Sequence, residues 1–140
     1  MLDLNSQLSQ VISIAPVALT DGTEDGAAAS LSDNHSAVVT FTSGVVTDGT
    51  HAVIVEESVD GTTFTTVADA DLHFNGTDTT ITDLDFAAAD DGVSRSVGYK
   101  GSKGTIRASI TTASSTTGAV MSAMIILGDE KQAGGSSIIS

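Results

Sequence analysis

A chain of 140 residues with no cysteine suits one domain with one core, and it excludes a disulfide framework or a thiolate metal site. Five Lys and Arg against 18 Asp and Glu give a formal net charge of −13, which repels phosphate backbones and anionic bilayers and so argues against nucleic acid and membrane partners. Thr, Ser, Gly, Val and Ala abound, with one Pro and no Trp, the make-up of an all-β domain rich in turns.

The chain opens on Met1-Leu2-Asp3-Leu4, without the basic start and apolar run of a secretion signal. It is therefore expected to be made and used without export. Residues 1–10 are polar and weakly patterned, an N-terminal arm that is either flexible or paired with a neighbouring subunit. Residues 11–19 form the first predicted strand, and Pro16, which cannot donate to a ladder, places it at a sheet edge or a break. Residues 20–26 read as an acidic loop and residues 27–31 as a short strand. Residues 37–42 (AVVTFT) are a clear strand.

Residues 52–67 (AVIVEESVDGTTFTTV) give the strongest local signal. A β-branched run, an Asp-Gly turn and an alternating return predict a β-hairpin, with Gly61 taking positive φ and Asp60 bonding its own backbone. Residues 68–76 read as a loop, residues 79–82 as a short strand, and residues 86–89 as one helical turn. Residues 93–99 and 105–111 alternate around the turn at residues 100–104, a second predicted hairpin. Residues 119–127 (AVMSAMIIL) are the most apolar strand and belong inside a sheet. That gives about eight or nine short antiparallel strands in a single β-sandwich or jelly-roll-like domain over residues 11–128. Residues 129–140 form a C-terminal tail, polar except for Ile138-Ile139, that is either disordered or a strap onto a partner.

No catalytic set, metal site or cofactor site is legible. His35, His51 and His73 lie near turns without a nucleophile motif and read as solvated. Glu56 and Glu57 point to opposite faces of one strand. Asp69-x-Asp71 and Asp83-x-Asp85 begin like calcium loops but fail the EF-hand pattern at the fifth and sixth places, which leaves acidic loops or an irregular oxygen site. Asn34-His35-Ser36 and Asn75-Gly76-Thr77 match the glycosylation triplet but read as turns in a chain that is not exported. Phe41 and Phe64 read as core. The sharper feature is charge: four of the five basic residues, Arg95, Lys100, Lys103 and Arg107, fall on the second predicted hairpin. They are either a solvated strand face or a docking spot for an acidic surface, on another copy of the chain or on a larger scaffold.

The run VEESVDGTTFTTVADADL at residues 55–72, the run RSVGYKGSK at residues 95–103 with Ile106-Arg107 after it, and Thr117-Gly118-Ala119-Val120 before the last strand together resemble a group of small tailed-bacteriophage head structural proteins. The resemblance covers roughly residues 36–130. It departs after the Gly-Ser-Lys turn, where members carry an aromatic–aliphatic pair and Gly104-Thr105 stands here. The resemblance implies a capsid decoration, or cement, protein on the outer surface of the virion. Such a protein is β-rich, forms small oligomers with a trimer favoured, and clamps the major capsid protein. Two rivals stand beside it. One is a carbohydrate-binding jelly roll, since Ser58-x-Asp60-Gly61-x-x-Phe64 also resembles a turn of discoidin-like modules. The other is a tail or head-to-tail component. An enzyme ranks last.

Overall fold

The computed structural model describes residues 3–130. Ten strands are present: β1 (Ser9–Leu19), β2 (Gly22–Ser30), β3 (Asn34–Val46), β4 (Thr50–Ser58), β5 (Thr65–Thr66), β6 (Leu72–His73), β7 (Phe86–Ala87), β8 (Ser94–Tyr99), β9 (Thr105–Ala113) and β10 (Ala119–Glu130). One sheet runs β1-β10-β3-β8-β6; the other runs β2-β9-β4-β5, with β7 also on β4. All pairings are antiparallel.

The order has a simple generator. β1 pairs with β10, β2 with β9, β3 with β8 and β4 with β5. These are nested partners along one long ribbon, and rolling that ribbon over interleaves them into two sheets. This is the jelly roll. The expected single β-sandwich domain is therefore what forms, with β10 in the interior of its sheet as its apolar run requires. The inner faces meet in one core. Val39, Phe41, Val97, Met121, Ala123 and Ile125 come from one side, and Val53, Val55, Ile106, Ala108 and Ile110 from the other. Full burial of such side chains stabilises by roughly 1.5–3 kcal/mol each. Leu84 and Phe86 add to the core from the segment between β6 and β8.

Near one edge a hydroxyl stitches the two sheets together. β1 shifts register between Ile12 and Ile14, and β2 between Asp25 and Ala28. The buried Ser13 donates to the Ala27 carbonyl at 2.7 Å and accepts from the Ala108 amide at 3.0 Å. A Cβ on Gly26 would lie 2.7 Å from the Ser13 carbonyl and 2.9 Å from that of Ala108, so the close approach requires glycine here.

Several local expectations change. β1 begins at Ser9, inside the stretch read as an arm, and a 3-10 turn at Asn5–Gln7 precedes it. Residues 22–26, read as loop, belong to β2; it is an edge strand, mostly exposed, and its pairing with β9 rather than any apolar alternation defines it. Ile81–Leu84 is a 3-10 turn instead of a strand, because the Asp83 carboxylate captures the Thr79 and Thr80 amides at 2.8 and 3.0 Å. Phe86–Ala87 pairs with β4 instead of coiling, since Phe86 is wholly buried, and Ala89 then turns the chain at φ 85°. Pro16 sits in the edge strand at a register shift, as expected. The tail expected at residues 129–140 lies outside the described residues from 131 onward, Ile138-Ile139 included.

Candidate interface

The second predicted hairpin does not form. β8 belongs to the sheet of β3, and β9 to the sheet of β2 and β4, so residues 100–104 arch from one sheet to the other. Both strands alternate because each turns one face to the shared core, Val97 and Tyr99 from β8 and Ile106 and Ala108 from β9. A Gly-rich link serves an arch as readily as a hairpin, so alternation and turn chemistry alone do not separate them.

The four basic residues are consequently split. Arg95 donates to the Asp85 carbonyl at 2.8 Å, pairs with Asp90 at 3.3 Å and lies 4.5 Å over the Phe86 ring. Arg107 pairs with Glu56 at 2.9 Å and Asp25 at 3.5 Å on the outer face of the other sheet. It covers the Phe64 ring at 4.1 Å, so Phe64 is a half-buried platform for that cation and not the core residue expected. Both arginines are spent within the fold. Lys100 and Lys103 remain exposed, and among the described residues neither enters an ion pair.

Those two lysines flank an open cleft of about 570 Å³, whose lining also includes Leu31, Ser32, Asn34, Ser36 and Tyr99. The arch above it is pinned along its length. The Lys100 amide donates to the Asp71 carbonyl at 2.9 Å, and the Gly104 carbonyl accepts from the Leu31 amide at 2.9 Å. The Lys103 amide donates to the Tyr99 hydroxyl at 3.0 Å, which donates in turn to Glu57 at 2.8 Å. Burial, and then the Glu57 carboxylate, push the Tyr99 phenol up to about 12, so it stays protonated and keeps donating. Glu56 and Glu57 thus serve different partners, as their alternation predicts.

The acids outside this region mostly hold turns. Asp48 accepts from the amides of Thr116, Thr117 and Gly118, at 2.7 Å for the last. Asp60 accepts from the amides of Thr62 and Thr63 at 2.8 Å, with Gly61 at φ 76°, so the β4–β5 turn forms as read. Asp91 accepts from the Val46 amide at 2.6 Å. No three His, Asp or Glu side chains among the described residues cluster closely enough to hold a metal ion. His51 corrects the expectation of solvated histidines: it is fully buried, its Nε2 donating to the Asp48 carbonyl at 3.1 Å and its Nδ1 hydrogen-bonded to the Thr112 hydroxyl at 2.9 Å. A carbonyl only accepts, which places a proton on Nε2. His73 is exposed.

One surface was missed in the sequence. On the outer face of the first sheet, Ile12 stands beside Met124, Met124 beside Thr40, and Thr40 beside Ser96. In the next row Ile126 stands beside Val38 and Val38 beside Gly98. Ser122, Thr42 and Ser94 form a third row. None is charged. Ile12 is 56% exposed and Val38 38%. A shallow groove of about 290 Å³ runs between Ile12, Pro16, Thr42 and Ile126. The signal was there to read: residues 119–127 are apolar on both parities, whereas a strand with one wet face alternates.

Comparison of the chain with protein-family models, with curated proteins and with solved structures returns no match.

Proposed function

We propose that this chain is a capsid decoration protein, a jelly-roll module that attaches to the outer surface of an assembled bacteriophage shell as a small oligomer and stabilises it. The observation that carries the reading is the uncharged central part of the outer face of the β1-β10-β3-β8 sheet, from Ile12 across Met124 and Val38 to Ser96, on a chain of net charge −13. Interface centres are depleted of charge and enriched in apolar groups, and contiguous exposed apolar surface of this kind marks a place where another protein sits. The resemblance of residues 36–130 to tailed-phage head proteins supplies the partner class, the major capsid protein.

The energetics suit such a role. A ligand that binds the assembled lattice and not the free subunits stabilises the lattice by mass action, by about 2.7 kcal/mol per site at a free concentration near 100 times Kd. Repetition through an oligomer multiplies weak contacts into avidity. The sugar-binding alternative is favoured by exposed aromatic platforms, and of the aromatic rings Phe41, Phe86 and Tyr99 are buried and Phe64 is covered by Arg107, which leaves only the half-buried Phe74.

Averaged electron micrographs of virions of the phage that encodes this chain test the reading. A jelly roll on the outer shell is the expected result. Density at the tail would make it a tail component, and absence of the chain from purified virions would end the proposal.

A further inference from the structure

We infer that the cleft under residues 100–104 is a binding site for a carboxylate-bearing peptide segment, an acidic stretch of the partner protein. The identity of the partner rests on the shell-attachment reading; the chemistry of the cleft does not. Lys100 and Lys103 are the described cations left without an ion pair, and both stand on the rim of the same cleft. Among the described residues its lining includes the hydroxyls of Ser36 and Ser102 and an apolar floor of Leu31, Ala37 and Tyr99, and it contains no Asp or Glu, the Glu57 carboxylate being engaged by the Tyr99 hydroxyl. On a chain with 18 acids, two unpaired lysines on a lining free of carboxylates among the described residues favour an incoming carboxylate here over the rest of the surface.

The site is also preorganised. The arch is held at Lys100, Lys103 and Gly104 by backbone hydrogen bonds to Asp71, Tyr99 and Leu31. Gly101 lies so close over the Tyr99 ring that a Cβ would fall 2.6 Å from Cζ. Little order remains to be imposed on binding. The volume, about 570 Å³, falls within the range of ligand clefts. A long polyanion such as nucleic acid would run out of the cleft over the acidic remainder of the surface, whereas a short acidic segment need not.

The test titrates a capped peptide of alternating glutamate and glycine into ¹⁵N-labelled full-length protein and follows amide shifts. Saturable shifts confined to residues 31–37 and 99–104 are expected. They should weaken by about tenfold in affinity in a Lys100→Gln/Lys103→Gln variant, as loss of charge-assisted hydrogen bonds predicts. Absent shifts, shifts unchanged in that variant, or tighter seating of a thymidine oligonucleotide than of the peptide would overturn the inference. Both lysines are exposed, so the variant should keep the wild-type spectrum elsewhere. A peptide that seats in a protein that never attaches to shells would sink the shell reading and leave the cleft standing. Attachment to shells without any peptide seating would do the reverse.

Discussion

At Ser13 one hydroxyl closes the contact between the two sheets. It satisfies the Ala108 amide and the Ala27 carbonyl at a place where β1 and β2 both break register. Ser13→Ala strands a buried amide, which should cost about 1–3 kcal/mol. Gly26→Ala should cost at least as much, because its methyl would strike the Ser13 hydroxyl and also the Ser13 and Ala108 carbonyls, which are backbone and cannot swing aside. Urea midpoints of the two variants check this; midpoints equal to wild type in both would contradict the stitch. Neither residue announces itself in the sequence. Ser13 alternates unremarkably in an apolar run, and Gly26 sits in a stretch that reads as loop.

At the scale of elements, local chemistry was legible, and pairing was legible only across the β4–β5 turn. The Asp60-Gly61 turn formed as its residues dictate, and the apolar run at residues 119–127 became an interior strand. The link at residues 100–104 was misread because a turn signal reports a change of direction and not which sheet the chain enters next. β2 was half missed because an edge strand has almost no buried face to pattern. The candidate site suffered for the same reason: four basic residues close in sequence were divided between two sheets, and only Lys100 and Lys103 stayed together.

The turns that join these elements depend on ionised carboxylates, which makes the fold acid-labile. Backbone amides hold Asp48 and Asp83 below the ordinary value of 3.8, and Asp60 is lowered to about 2, chiefly by the amides of Thr63 and Thr62. Asp21 and Asp90 are lowered in the same way, by the amides of Ser115 and Ala87. A carboxylate depressed in the folded state contributes stability that is fully present above its unfolded value and lost as pH falls through its folded value. Asp85, raised by burial, works in the opposite direction. The net expectation is a denaturation midpoint that holds above pH about 5 and falls steadily between about 4 and 2. A flat profile across that window would show that the turn carboxylates are dispensable.

Over the whole molecule, charge is distributed with a purpose that the sequence total conceals. Acids gather in the turns and on the outer face of the β2-β9-β4 sheet, where Asp25 and Glu56 are paired with Arg107. The opposite face, from Ile12 across Met124 and Val38 to Ser96, has none. Such a body repels its own copies and other acidic surfaces over most of its exterior, and the proposed docking leaves one face and one lysine-rimmed cleft for a partner.

The most direct test of docking through that face is co-sedimentation of the purified full-length protein with assembled shells that lack it, comparing wild type with Ile12→Asp/Val38→Asp. Both positions are exposed, so the variant should fold as wild type does. Wild type is expected to bind to saturation, and the variant to lose at least about tenfold in affinity, since a charge placed at an apolar interface centre must be desolvated without a partner. Equal binding by the two proteins would contradict the assignment of this face.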